Sequence, residues 1–269
     1  MKQPIGIFDS GLGGLTVARA IRRAIPQESL VYLGDTARVP YGTRSPETVV
    51  RYAIACAKRL LTHDVKLLVV ACNTASGVAL PELRASMPIP VIGVIEPGAK
   101  AGIAASRSQR IGVLATSGTV ASGAYERAIH AVDDDAQIFV QSAPLLVPLA
   151  EEGWVTGEVP RLAITRYLQP FAKAKVDTIV LGCTHYPLLA EAIGQVARKL
   201  IDPDIVIVDS ADATADMLLN HLTPGPTSST IPRGDLRVLV TDRPDAFASV
   251  AGRFLGESVD TLDVEAIDL

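Results

Sequence analysis

The chain has 269 residues, 48% of them apolar, which is enough to build a packed core in one large domain or two smaller ones and excludes a disordered chain. The 25 Lys and Arg against 29 Asp and Glu give a formal net charge of −4, with no basic segment of the kind a nucleic-acid surface needs. Apolar runs stay shorter than the roughly 18 residues of a membrane span, and the three cysteines form no Cys-x-x-Cys pair, so we expect a cytoplasmic, membrane-free chain with free thiols.

Short apolar, β-branched runs alternate along the chain with Ala/Leu/Arg-rich stretches of helical length, a rhythm typical of α/β folds. The runs are hydrophobic throughout, as parallel strands buried on both faces should be. We predict eight strands, at residues 5–8, 30–33, 67–71, 91–94, 111–114, 137–140, 178–181 and 205–208. After an exposed connector over 223–232, we predict strands at 238–241 and 259–264 on either side of a helix near 245–254.

The clearest predicted helix covers residues 45–61. Ser45 can cap it and Pro46 suits its first turn. Cys56 lies in its interior without polar neighbours in sequence, so we interpret this thiol as a small core side chain. One apolar face is predicted to comprise Val50, Ile54, Ala57 and Leu61.

Three short segments recur in the same order in the two halves of the chain, which predicts a duplicated α/β unit. The matched pairs are Ile5-Gly6-Ile7-Phe8 with Ile111-Gly112-Val113-Leu114, Val39-Pro40 with Val147-Pro148, and Val69-Val70-Ala71-Cys72 with Val180-Leu181-Gly182-Cys183. We therefore expect two similar lobes with boundaries near Glu96 and Asp209. The first lobe would comprise residues 1–96 plus 209–269, and the second residues 97–208.

Cys72 and Cys183 each follow a predicted strand and precede a predicted helix. Ligands of open parallel sheets bind at the carboxyl ends of strands, where helix N-termini favour a thiolate. Two lobes that face each other would place the two thiols on opposite walls of one cleft. A thiolate on one side of a carbon and a thiol on the other would invert that centre without a cofactor.

Other chemistries remain open on the residues alone. The glycines of 9–14 suit an anion, but the third position of a dinucleotide pattern falls on Thr16, so NAD with Asp35 is only an alternative. A Cys-His hydrolase needs one nucleophilic cysteine rather than two. A zinc site built from Cys72, Cys183 and His185 lacks closely spaced ligand pairs.

Six segments across most of the chain resemble glutamate racemases, members of the cofactor-independent aspartate/glutamate racemase superfamily. They are residues 8–14, 34–42, 71–75, 93–98, 122–125 and 182–187. The resemblance implies interconversion of L- and D-glutamate without cofactor or metal, a supply of D-glutamate for peptidoglycan, cell-wall biogenesis and cell shape, and a possible homodimer. It also implies two pseudo-symmetric lobes, each a mainly parallel sheet flanked by helices, with the active site between them. Ala211 departs from the glycine expected after Ser210.

The same resemblance implies roles for single residues. Cys72 is the base toward D-glutamate and Cys183 the base toward L-glutamate, each protonating the product of the other direction. Asp9 supports Cys72 and His185 supports Cys183. Glu151 rather than Glu152 matches the acidic helper, with Asp35 as a further candidate. The residues implied in substrate binding are Asp9, Ser10, Tyr41, Gly42, Asn73, Thr74, Thr119, Thr184 and His185.

Two alternatives to this function stay open. One is a relative that acts on aspartate or another small amino acid, because a single sequence does not reveal the size of the cleft. The other is a two-lobed binding protein or regulator that has kept the fold without catalysis. The presence of both Cys72 and Cys183 argues against the second alternative.

Overall fold

The computed structural model describes residues 3–222, 233–256 and 262–269. The predicted connector over 223–232 lies outside the described residues. Of the predicted strand over 259–264, residues 259–261 also lie outside them, residues 262 and 263 are irregular, and only Val264 lies in a strand. The chain divides into two compact units: unit 1 comprises residues 1–94 and 211–269, and unit 2 comprises residues 95–210. The predicted lobe boundaries lie two residues from these divisions.

The strands are β1 (Ile5–Asp9), β2 (Leu30–Gly34), β3 (Leu67–Val70), β4 (Val91–Gly93), β5 (Arg110–Ala115), β6 (Gln137–Ser142), β7 (Thr178–Gly182), β8 (Val206–Asp209), β9 (Leu236–Val240) and β10 (Val264–Ala266). The helices are α1 (Leu15–Ala24), α2 (Pro46–Leu61), α3 (Asn73–Ser86), α4 (Ile95–Ala105), α5 (Ser117–Ala121), α6 (Ala124–His130), α7 (Leu146–Glu151), α8 (Glu158–Ala174), α9 (Ala190–Leu200), α10 (Ser210–His221) and α11 (Pro244–Leu255). Short 3₁₀ turns cover Tyr41–Thr43 and Tyr186–Leu189.

Each unit is built on a parallel sheet flanked by helices, which confirms the predicted α/β class. The sheet of unit 1 has the order β10-β9-β2-β1-β3-β4, and that of unit 2 has the order β6-β5-β7-β8. The four strands β2-β1-β3-β4 therefore have the same order as β6-β5-β7-β8. The first and third predicted repeats fall on equivalent strands, β1 with β5 and β3 with β7. All eight predicted strands of the repeated part are present, whereas β10 begins only at Val264.

Helix α2 shows where the sequence pattern misplaced a buried face. Ser45 caps the helix as predicted, since its Oγ accepts a hydrogen bond from Thr48 N at 3.4 Å. The predicted face was wrong, because Val50, Ile54 and Leu61 are only half-buried at the edge of the core. Of the four predicted residues only Ala57 is buried, and the buried face is shifted by one position along the helix from the predicted one. The buried positions are Val49, Ala53, Cys56, Ala57 and Leu60.

In unit 2, the Asp177 carboxylate anchors the turn that leads into β5. It accepts hydrogen bonds from Ser106 Oγ at 2.7 Å, Arg107 N at 2.8 Å and Ser108 N at 2.6 Å. Burial by itself raises the pKa of Asp177, but the hydrogen bonds from Ser106 and Ser108 outweigh it, and the pKa lies below its usual value. Because the folded pKa is lowered, this carboxylate stabilises unit 2 above the unfolded pKa of about 3.9, and the contribution is lost as the pH falls through the folded value.

We expect Asp177→Asn to lower the free energy of unfolding by about 1–3 kcal/mol at pH 7, because an amide accepts these donors poorly. The difference from the native chain should shrink as the pH falls below about 3.9, because the carboxylate of the unfolded chain is protonated there and that of the folded chain follows at its lower pKa. Urea unfolding at pH 7 and pH 3 measures both values. Asp204→Asn, at an exposed carboxylate of the same unit, is the control and should change stability by less than about 0.5 kcal/mol. An Asp177→Asn loss that is equal at both pH values would contradict the assignment.

Candidate active-site residues

In unit 1, the polar residues predicted for the site converge at the carboxyl edge of the sheet. Asp9 is the last residue of β1 and pairs in register with Gly34 at the end of β2. Asp35 N donates to Asp9 O at 3.0 Å, and Ala71 N donates to Phe8 O at 2.9 Å. The adjacent strands β1, β2 and β3 therefore end at the same level of the sheet. Asp9, Asp35 and Cys72 lie together at this edge.

Cys72 is the N-cap residue of α3 and is only 6% exposed. Its Sγ accepts a hydrogen bond from Ala75 N at 3.5 Å and lies 3.7 Å from Ser10 Oγ. The Ala75 N–H group and the dipole of the helix stabilise negative charge on this sulfur. Asn73 and Thr74 follow it in the first turn of α3, and both are buried beside the thiol. This face of unit 1 thus combines one proton-transfer group with amide and hydroxyl donors.

The Asp9 carboxylate is fully buried against the start of α1. Its Oδ2 accepts a hydrogen bond from Gly11 N at 2.9 Å. A Cβ on Gly14 would lie 2.4 Å from Asp9 Cβ, so only glycine allows this close approach. Tyr32, which is not among the predicted site residues, donates a hydrogen bond from its hydroxyl to Gly11 O at 2.7 Å. Burial, followed by the charges of Asp9 and Cys72, raises the pKa of Tyr32, which keeps its hydroxyl protonated as a fixed donor.

Tyr41 lies on the 3₁₀ turn after β2, with Gly42 half-buried beside it. The Tyr41 hydroxyl donates to Asp35 Oδ2 at 2.5 Å and lies 3.9 Å from Cys56 Sγ. Burial, then the neighbouring charges of Cys56 and Asp35, raises the pKa of Tyr41, so its proton stays in the bond to Asp35. The turn therefore has backbone N–H groups to offer a ligand rather than the phenol oxygen.

Cys56 is fully buried in α2, as predicted for a core residue. The expectation that nothing polar lies near it was wrong, because the chain folds the Tyr41 hydroxyl and the Asp35 carboxylate toward it. Burial, with a further contribution from Asp35, raises the pKa of the Cys56 thiol. This thiol therefore stays protonated and packs, whereas Cys72 lies at the sheet edge.

In unit 2, the equivalent edge carries Cys183 directly after β7. Gly182 pairs in register with Ala115 at the end of β5, and Cys183 is 5% exposed. The helix predicted to begin at this thiol is instead a 3₁₀ turn over Tyr186–Leu189, and α9 begins only at Ala190. Pro187 supplies no backbone N–H, which suits the first turn of such a segment.

A chain of three side chains starts at Cys183. Its Sγ lies 3.9 Å from His185 Nδ1, and His185 Nε2 lies 2.9 Å from Glu151 Oε1. His185 is buried, whereas the Glu151 side chain is 39% exposed and Glu152 next to it points to solvent. When Nε2–H donates to Glu151, Nδ1 is left as an acceptor on the side of the thiol. The arrangement can thus take a proton from Cys183 and return it.

The remaining predicted residues of unit 2 are buried hydroxyl groups near this edge. Thr119, on α5 after β5, has its Oγ1 2.9 Å from Thr116 Oγ1. Thr184 directly follows Cys183 and is also buried. Hydroxyl groups of this kind donate and accept hydrogen bonds, as recognition of carboxylates requires.

Within residues 3–222, 233–256 and 262–269, no group of three or more His, Cys, Asp or Glu residues is arranged to hold a metal ion. In the same part of the chain, no helix is both long enough and apolar enough to cross a membrane.

The order of strands, with one buried cysteine after β3 and one after β7, defines an α/β protein with two equivalent thiol-bearing edges. A family model described as Asp/Glu/hydantoin racemase matches residues 14–218, and the chain belongs to this family. A glutamate racemase of Geobacter metallireducens is 50% identical over 256 residues, which cover 94% of this chain and 92% of that protein. The resemblance to glutamate racemases is thereby confirmed.

Solved structures agree with this assignment. A glutamate racemase from Bacillus anthracis has a TM-score of 0.89 and 37% sequence identity, with 99% of this chain and 98% of that chain covered. A glutamate racemase from Francisella tularensis in complex with D-glutamate has a TM-score of 0.87 and 34% sequence identity, with 99% of this chain and 97% of that chain covered. The two-sheet α/β architecture is therefore that of solved glutamate racemases.

Proposed function

We propose that the chain interconverts L- and D-glutamate by moving the α-proton between the carbon and two thiols, those of Cys72 and Cys183. The observation that supports this most is the equivalence of the two cysteines, because each is buried within two residues of the end of an equivalent strand, Cys72 after β3 and Cys183 after β7. A nucleophilic mechanism has no use for two equivalent thiols, whereas inversion of a stereocentre needs a proton acceptor on one face and a donor on the other. The division into lobes of residues 1–96 plus 209–269 and residues 97–208 stays a prediction.

On this proposal, the Cys183 thiolate removes the α-proton of L-glutamate while the Cys72 thiol delivers a proton to the opposite face, which gives D-glutamate. The reverse reaction starts from the Cys72 thiolate. One C–H bond breaks and one forms in each turnover, and the two thiols end with their protonation states exchanged. The His185–Glu151 pair supports Cys183 by holding its proton at Nδ1. Asp9 and the α3 N-terminus support Cys72.

The α-proton of an amino acid is only weakly acidic, so charge that develops on the substrate carboxylate must be stabilised. Buried donors fixed in place before the reaction are the most effective way to do so. We propose that the substrate is held by Asp9, Ser10, Tyr41, Gly42, Asn73, Thr74, Thr119, Thr184 and His185. Amide, hydroxyl and backbone donors suit the two carboxylates, and the Asp9 carboxylate accepts from the ammonium group.

The physiological role follows from the product. A protein that makes D-glutamate in the cytoplasm would supply it for peptidoglycan, and so for cell-wall biogenesis and cell shape. The homodimer and the cytoplasmic location stay predictions, as does the independence from cofactors and metals.

The function is tested by polarimetry and proton NMR in D₂O with L-glutamate, D-glutamate and L-aspartate. We expect the rotation of both glutamate enantiomers to decay to zero, and deuterium to appear at the α-carbon of the product. Protein treated with a chelator and a carbonyl reagent should remain active. Binding of glutamate without inversion would favour a binding protein, and faster inversion of aspartate would favour an aspartate-specific relative.

A further inference from the structure

Asp35 is the centre of a set of contacts in unit 1 that the racemisation scheme does not use. The carboxylate is fully buried. Its Oδ2 accepts from the Tyr41 hydroxyl at 2.5 Å and lies 3.6 Å from Arg38 Nη1, while its Oδ1 accepts from Thr241 Oγ1 at 2.9 Å. Two side chains from the loop after β2 and one from the C-terminal part of the chain thus meet at one buried anion.

Tyr52, on α2, closes this set into a ring. The Arg38 guanidinium lies over the Tyr52 ring at 4.8 Å, and the Tyr52 and Tyr41 rings are 5.7 Å apart at 48°. Arg38 and Tyr41 are therefore each held at two points, once by Asp35 and once by Tyr52. We call Asp35, Arg38, Tyr41, Tyr52 and Thr241 the Asp35 clamp.

The C-terminal part of the chain holds the clamp from the other side. Thr241 lies just after β9, and its Oγ1 accepts a hydrogen bond from Ala37 N at 2.9 Å. Asp242 N donates to Thr36 Oγ1 at 2.8 Å, and that hydroxyl donates to Asp242 O at 2.6 Å. The loop that carries Tyr41 is thus fastened to a strand of the unit 1 sheet that has no equivalent in the described four-stranded sheet of unit 2.

We infer that Asp35, Arg38, Tyr52 and Thr241 are positioning residues for glutamate, because they fix the turn formed by Tyr41 and Gly42. This inference rests on the proposed function, in which that turn holds the substrate. The Tyr41 hydroxyl is engaged by Asp35, so the turn binds through its backbone N–H groups, whose direction depends on the clamp. When the turn is ordered before binding, the binding of glutamate does not have to supply the free energy of ordering it. Loss of this order therefore raises KM and leaves kcat nearly unchanged.

Thr241 offers the sharpest test, because valine has nearly the same shape and lacks the hydroxyl. We expect Thr241→Val to raise KM for both glutamate enantiomers about 5- to 10-fold, with kcat changed less than about 2-fold. Thr241→Ser keeps the hydroxyl and should restore most of the native KM. An unchanged KM with a lower thermal midpoint, or a serine variant no better than valine, would overturn the inference.

Tyr52 tests the other side of the ring. Tyr52→Leu removes the aromatic contacts and should raise KM, whereas Tyr52→Phe keeps the ring and should not. In the double variant with Thr241→Val, the rise in KM should be smaller than the product of the two single effects, because both act through one clamp. Independent effects that multiply would contradict the inference.

A measurement without turnover separates this inference from the proposed function. The measurement is fluorine NMR of protein labelled with 3-fluorotyrosine. The chain has six tyrosines, and the Tyr41 signal is the one that disappears in Tyr41→Phe. The position of this signal reports directly on the clamp. We expect the Tyr41 signal to shift in Thr241→Val and to stay near its native position in Thr241→Ser. A native-like signal in Thr241→Val overturns the clamp even if the chain racemises glutamate. A shifted signal in a chain that binds but does not invert glutamate would overturn only the proposed function.

Discussion

Replacing either Cys72 or Cys183 by serine is expected to lower racemisation by about 10³- to 10⁴-fold in both directions while the fold remains intact. Serine keeps the shape of cysteine but is a far weaker acid, so it neither holds a negative charge at the sheet edge nor returns a proton easily. Both thiols take part in every turnover, so neither variant should retain one direction of the reaction. Circular dichroism and the thermal midpoint establish that folding is unchanged.

Isotope exchange distinguishes the two thiols where turnover does not. In D₂O, Cys183→Ser keeps Cys72 as a base and should exchange the α-proton of D-glutamate for deuterium with retention of configuration. Cys72→Ser should do the same with L-glutamate only. Proton NMR of the α-position follows both exchanges. Near-native turnover in either variant would refute the two-thiol scheme, and exchange of the opposite enantiomers would reverse the assignment of the bases.

The third thiol supplies the control for these experiments. Cys56 is buried in α2, and burial raises its pKa, so it should take no part in proton transfer. Cys56→Ala removes a sulfur from the chain without touching the hydrogen bond between Tyr41 and Asp35. We expect this variant to racemise glutamate within about threefold of the native rate.

The positions of the strands followed from the sequence because parallel strands buried on both faces are apolar along their whole length, whereas their order in each sheet was not predicted. The repeat of Ile5–Phe8 at Ile111–Leu114 marked the equivalent strands β1 and β5, and the cysteines marked the strand ends. The face of α2 was misplaced by one position because Val49 and Leu60 stand next to Val50 and Leu61, so two apolar faces one residue apart fit the same periodicity.

Contacts between distant parts of the chain left no local signal. Thr241 and Asp35 are 206 residues apart, and nothing near either residue indicates the other. Tyr32 lies within an apolar strand and resembles a core aromatic residue. A buried tyrosine needs a hydrogen-bond partner for its hydroxyl, and this requirement is the one indication in the sequence that Tyr32 makes a polar contact. The choice between Glu151 and Glu152 depends on how α7 is rotated, which a pair of adjacent acids does not reveal.

Glu151→Gln and His185→Asn are expected to lower kcat/KM by about 10- to 100-fold and by about 10²- to 10⁴-fold, respectively. Glutamine accepts the His185 Nε2–H bond less strongly and permits the other tautomer, whereas asparagine removes the acceptor that faces Cys183. Although both residues contact only the side of Cys183, the loss must be equal in the two directions. Enantiomers have the same free energy, so the equilibrium constant is one, and the ratio of kcat/KM for L- and D-glutamate is fixed at one for every variant.

The asymmetry should therefore appear elsewhere, in the exchange reaction that depends on Cys183. In the Cys72→Ser background, Glu151→Gln should slow deuterium exchange of L-glutamate. In the Cys183→Ser background, it should leave exchange of D-glutamate within about twofold. Glu152→Gln is the matched control, because its carboxylate is the chain neighbour of Glu151 but is exposed, and it should leave both exchange reactions unchanged. Equal slowing of both exchange reactions by Glu151→Gln would show that this carboxylate does not act through Cys183.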